Sequence, residues 1–483
     1  MALPVPARAA RPEPAPAELA ASRALAFLDY FGVPHRVDAA GPAGYGVLRA
    51  GGPALYWLPA GESAIAEARL GDVPLWAHVT RDEASRGLRE SLATGWTAES
   101  PVHDARGERI ASVWRAADGS RFLPFDPDQA IRALLSEGYL AANGRPASAR
   151  VKGLVRDAYY AARPLMPRRT QIAARRLYSR VQARAQFPRW PVETALHDLY
   201  AFLLGAVGDV VQGPFPSLAF WPHGRSWALV LTHDVETAIG RDSVHVLREV
   251  EQALGYRSSW NFVPRRYDDI PSVRAGLTEA GFEVGLHGLH HDGRDLAPGT
   301  FHERLPAMRE AAECWGAIGF RSPATHRAWD LMPQLGVDYD SSYTDTAPFE
   351  PQSGGCCSWL PYFNRELVEL PITLLQDHTL FEILEHEDER VWVEKAELLR
   401  ERGGMALALT HPDYMLAPER VAAYQRFLER FAEDATAWRA LPRDVSAWWR
   451  RRAASRLVYD RGQWQVAGPA AGEARVQIHE WKG

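Results

Sequence analysis

Three of the chain's 16 histidines fall within GLHGLHHDG, at His287, His290 and His291. The i, i+4 spacing of His287 and His291 predicts that one helical turn carries both imidazoles on a single face, an arrangement that holds a divalent ion. A satisfied surface or core pair is the plainer alternative. Upstream, LTHDVE places Asp234 and Glu236 directly after the apolar run WALV. Two carboxylates at i and i+2 on a strand terminus converge on one small site if the chain turns there. Glu236, His287 and His291 then form a two-histidine, one-carboxylate set with coordination positions left for water and substrate. Zinc suits this donor set best, while iron, cobalt, manganese and nickel accept the same ligand types.

Two more segments end apolar runs in reactive residues. In GFRSPATHR, Arg321 follows a strand-like stretch and Pro323 fixes the turn after it. Its guanidinium either holds Asp234 ionised, binds an anionic substrate group or forms a rim salt bridge. In LALTHPDYM, His411 stands where it can protonate a leaving group if it faces the metal site, and a structural role is the alternative. Between these lies an aromatic-rich loop, 339–362, which suits either a sugar-binding rim or a self-packed loop. Cys356 and Cys357 have no base within their segment and read as packing.

Positioning these residues requires strands that end at one place. From Trp227 onward, apolar runs at 228–232, 259–263, 283–287, 317–321, 337–341, 367–372 and 405–410 alternate with amphipathic stretches such as 243–254 and 272–280. Strand, helix, strand alternation calls for a parallel sheet, and seven such strands suit a distorted barrel of the (β/α)7 type, whose chemistry sits where strands end. Ahead of it, short apolar runs and helix-like segments predict a small α/β domain at 21–145, in which Asp126 and Pro127 open a helix. A basic helical linker region follows at 146–215, then the barrel at 216–440 and a C-terminal helix and β tail at 441–483. Residues 1–20, rich in Ala and Pro, read as a disordered leader.

The ordered clusters resemble the motifs of the polysaccharide deacetylase family, carbohydrate esterase family four, over about residues 228–415. THDVE is similar to the first motif, usually Thr-Phe-Asp-Asp-Gly; HGLHH resembles His-(Ser/Thr)-x-x-His; RSP resembles Arg-x-Pro; SWLPY resembles the Trp-bearing fourth motif; and LALTHPDY resembles the closing Leu-x-His. The resemblance implies Asp234 as general base, His287 and His291 as ligands, Arg321 orienting the base and His411 as general acid. Val235 stands where the family has its second Asp, so the third ligand moves to Glu236. The implied activity is metal-dependent removal of an acyl group, chiefly N-acetyl, from an oligo- or polysaccharide. Hydrolysis of another non-peptide C–N bond on the same barrel is one alternative, and a non-catalytic glycan-binding protein is another.

Bulk properties narrow the partners. A formal charge of -5 and a pI near 6.4 give no global attraction to nucleic acid or to an anionic membrane. The local exception is 151–190, with ten Lys or Arg against Asp157, read as a solvated face or as an anionic-polymer or lipid contact. Three cysteines cannot frame a chain of 483 residues with disulfides, and no segment approaches 18 apolar residues, so a cytoplasmic protein without a transmembrane segment is expected.

Overall fold

The computed structural model describes residues 18–38, 42, 44–143 and 167–481. Residues 1–17 of the expected leader lie outside this set, but Leu19 and Ala20 do not belong to a leader. Strand Leu19–Ala21 pairs with His35–Val37 and Gly46–Arg49, because its three small apolar side chains are buried.

These strands open a nine-stranded sheet that runs in sequence to Arg121–Leu123. Most of its pairs are antiparallel, so the first unit is a strand-rich sheet flanked by helices rather than an alternating α/β layer. The helix Pro127–Leu135 starts as its sequence predicts. Asp126 accepts from the backbone N–H of Asp128 and Gln129, and Pro127 occupies the first turn. The helix Ala195–Val211 also packs in the core that this sheet shares with the following unit.

The second unit contains eight parallel strands among the described residues: β1 (Trp227–Val235), β2 (Ser259–Phe262), β3 (Glu283–Leu286), β4 (Gly319–Phe320), β5 (Tyr339–Asp340), β6 (Leu367–Glu369), β7 (Met405–Thr410) and the short β8 (Ala437–Ala440), the first seven of which overlap the apolar runs read from the sequence. All nine residues of β1 are buried, which is why this strand reads as a continuous apolar run instead of an alternating one. β7 flanks it on one side; on the other, β8 pairs with residues 227–230 and β2 with residues 232–235. Beyond β6, the N–H groups of Thr373 and Leu374 donate to Leu407 O at 3.3 and 3.1 Å, drawing the far end of the sheet toward β7. The chain then closes on itself: strand Val476–His479 pairs antiparallel with Phe215–Leu218.

The aromatic loop packs inward. Tyr343, Phe349, Trp359 and Tyr362 are buried, so the self-packed alternative describes them and the exposed sugar-binding rim does not. Cys356 and Cys357 are likewise buried, and free.

Candidate active site

Register sets the first part of the site. In the β1–β2–β3 ladder, Asp234 lies beside Asn261, which lies beside Gly285. Any Cβ at Gly285 would fall 2.0 Å from Asn261 Oδ1, so glycine leaves room for the carboxamide. Asn261 Nδ2 donates to Asp234 Oδ1 at 2.8 Å. Arg321, at the end of β4, is fully buried and places NH1 3.6 Å from Asp234 Oδ2. Its NH2 donates to Thr232 Oγ1 and Ser341 Oγ, which fixes the guanidinium plane. Burial alone would raise the Asp234 pKa, yet His287, Arg321, His411 and Asn261 outweigh it and hold the carboxyl below its usual range.

The two histidines meet, but not through a helical turn. His287 follows β3 directly, and the chain to His291 is an irregular loop in which His291 itself has φ 55°. Gly288, at φ +63°, permits this path; a Cβ there would meet Asp295 Oδ2 at 2.4 Å and Pro323 Cγ at 2.6 Å. The ring centroids end 5.0 Å apart. The two rings thus lie close together as the i, i+4 spacing predicts, but through a loop and not through a helical turn.

Glu236, His287 and His291 each offer a ligand atom, all within 4.8 Å of one another. His287 Nδ1 donates to Arg321 O at 3.0 Å, which leaves the lone pair of Nε2 facing inward. That Nε2 is buried and has no hydrogen-bond partner among the described residues, an arrangement that costs free energy unless something binds there. Burial pushes the His287 pKa down to about 4, so the ring is neutral and able to ligate. His291 Nε2 lies 2.9 Å from Glu236 Oε1. Arg266 donates to His291 O at 3.0 Å and to Nδ1, so in this arrangement Nε2 carries the ring proton and donates to Glu236 Oε1; ligation through Nε2 requires that proton to leave. Tyr414 OH donates to the other Glu236 oxygen at 2.7 Å, turning Oε1 toward the histidines. The donor types, the neutral His287 and its unpartnered nitrogen fit a divalent ion.

His411 follows β7 and sends Nε2 toward the same centre, 3.9 Å from Glu236 Oε1. Asp377 Oδ1 lies 2.6 Å from its Nδ1. Burial opposes the charged ring, but Asp377, Glu236 and Asp234 prevail and raise the pKa to about 10. All six residues singled out from the sequence (Asp234, Glu236, His287, His291, Arg321 and His411) therefore converge. Sequence reasoning missed Asn261, Asp377 and Tyr414. Tyr414 carried a usable signal, since it stands three residues after His411; Asn261, inside β2, and Asp377 carried none.

Neither a family model nor a curated protein sequence matches this chain. Among solved structures, one assigned as a polysaccharide deacetylase from Mycobacterium smegmatis is 20% identical, with a TM-score of 0.40, covering 50% of this chain and 96% of that one. Another assigned as a polysaccharide deacetylase, from Pseudomonas aeruginosa PAO1, is 17% identical at a TM-score of 0.38, covering 47% and 92%. The Puue allantoinase is 16% identical at a TM-score of 0.39, covering 55% and 98%.

Proposed function

We propose that the chain is a metal-dependent hydrolase of a C–N bond, removing an acyl group, N-acetyl foremost, from an oligo- or polysaccharide on a distorted (β/α)7-type barrel. The observation that carries the reading is the buried, unpartnered Nε2 of His287 beside Glu236 and His291, with Asp234 and His411 turned to the same centre. Glu236, His287 and His291 would hold one divalent ion, zinc by preference. When bound, such an ion lowers the pKa of its water to about 7 and polarises an acyl oxygen.

The chain's own residues supply the proton chemistry. Asp234, kept ionised by Arg321 and oriented by Asn261, accepts a proton from the attacking water. His411 is protonated at neutral pH because Asp377 holds its charge, and it passes that proton from Nε2 to the departing nitrogen. Arg321, fully buried and held through NH2 by Thr232 and Ser341, keeps its charge beside Asp234. The acetyl group and the sugar follow from the motif resemblance, and the cytoplasmic setting from cysteine usage.

The test is acetate release from a panel of N-acetylated oligosaccharides by metal-loaded protein, with Asp234→Asn as control. Release by the wild type and not by the variant is expected. Opening of small cyclic amides with no acetate released would remove the carbohydrate assignment. Silence on both classes with metal bound would remove the hydrolase.

A further inference from the structure

The helix Arg168–Gln182 turns its polar side to the protein and its apolar side outward. On the inner side, Arg175 NH2 donates to Phe349 O at 2.7 Å, Arg176 Nε to Glu382 O at 2.8 Å and Gln182 Nε2 to Glu350 O at 3.1 Å. Ser179 and Gln182 are buried. On the outer side, Leu177 is 66% exposed, Tyr178 50% and Val181 58%. Ala173, Leu177 and Val181 follow one another at i, i+4, and Ala174 and Tyr178 run beside them, so these side chains form one continuous stripe. A surface helix ordinarily does the reverse, burying its apolar stripe.

The stripe is bordered by charge of one sign. Arg169, Arg180 and Arg184 are exposed, and none pairs with an acid among the described residues. The sequence has no Asp or Glu from 158 to 192. This charge decides between partners. A second copy docking through the same patch about a twofold axis would set arginine against arginine. The preceding segment 144–166 has the same sign, with Arg145, Arg150, Lys152, Arg156 and Arg163 against Asp157, so it is poorly matched as a cover. A polyanion without apolar groups, such as a nucleic acid, would leave Leu177 and Val181 in water. A surface that accepts both features is the headgroup and acyl boundary of an anionic bilayer.

We propose that this helix is a membrane-surface anchor, with Leu177, Tyr178 and Val181 inserted at the acyl boundary and Arg169, Arg180 and Arg184 on lipid phosphates. The anchor is peripheral: no helix among the described residues is long and apolar enough to cross a membrane. It does not depend on the hydrolase reading, because none of these side chains belongs to the site.

The experiment is cosedimentation of the full chain with phosphatidylcholine vesicles, with and without phosphatidylglycerol, at low and high salt. Binding to the anionic vesicles only, weakened by salt, is expected. The double variant Leu177→Ser/Val181→Ser and the double variant Arg180→Glu/Arg184→Glu should each bind about tenfold or more weakly. Both change exposed residues, and unchanged thermal unfolding would separate lost binding from lost fold. Equal binding to neutral vesicles, no binding, or binding untouched by either variant would overturn the anchor. So would a dimer that dissociates in the Leu177→Ser/Val181→Ser variant, or salt-sensitive binding to duplex DNA without vesicle binding.

Discussion

Asp377 grips His411 twice: Oδ1 lies 2.6 Å from the ring Nδ1, and Oδ2 accepts the His411 backbone N–H at 2.8 Å. The carboxylate is fully buried, so it sets both the position of the ring and its charge. Asp377→Asn keeps the shape and removes the charge. The variant should slow cleavage of an N-acetyl sugar by about 10² or more, yet slow an activated aryl acetate far less, since a phenolate leaves without protonation. Rate ratios for the two substrates, with metal content measured in each protein, check this; equal ratios would make Asp377 merely structural.

Removing a ligand and removing a base should separate cleanly. His287→Ala and His291→Ala should emerge from purification depleted of the ion, while Asp234→Asn retains it and loses about 10² to 10⁴ in turnover. Elemental analysis beside activity reads both. Full metal occupancy in both histidine variants would dismiss the ligand set.

Glu283, on β3, is buried with Tyr339 OH donating to Oε1 at 2.7 Å and Arg443 N–H donating to Oε2 at 3.1 Å. Burial raises its pKa to about 7, against these two donors and the Arg443 charge, which lower it. The folded state therefore binds the proton more tightly than the unfolded chain. Its contribution to stability is complete below the ordinary carboxylate value and is lost as pH rises through about 7. Thermal unfolding should show a decline over that window that Glu283→Gln flattens. A variant with the same pH slope as the wild type would locate the decline elsewhere.

Arg327 and Glu137 join the two units through a buried bidentate pair, at 2.9 and 2.6 Å. Breaking it from either side leaves an uncompensated charge, so Arg327→Ala or Glu137→Ala should cost about 3 to 5 kcal/mol. Replacing both, as Arg327→Met with Glu137→Leu, should recover most of that loss. Denaturant unfolding of the three variants measures it, and a double variant as weak as the sum of the singles would argue against direct coupling.

Residue type and chain order were enough to locate seven of the eight parallel strands, because a strand buried on both faces is largely apolar; the limits came less well, with Gly319–Phe320 and Tyr339–Asp340 shorter than their apolar runs, and the short strand Ala437–Ala440 went unread. They also singled out Asp234, Glu236, His287, His291, Arg321 and His411, since reactive groups directly after such runs must stand at strand ends. Only the tertiary structure decided how these groups meet. His287 and His291 approach through a left-handed loop residue where the spacing had suggested a helix, and both paths share the same i, i+4 signature. The aromatic residues of the loop pack inward, a choice that composition leaves open because a buried ring and a sugar-stacking ring are the same side chain. Asp377 stands 34 residues from His411, and Asn261 faces Asp234 only through the β1–β2 register. Such contacts depend on which strands lie side by side, and the pattern along a single strand does not carry that information.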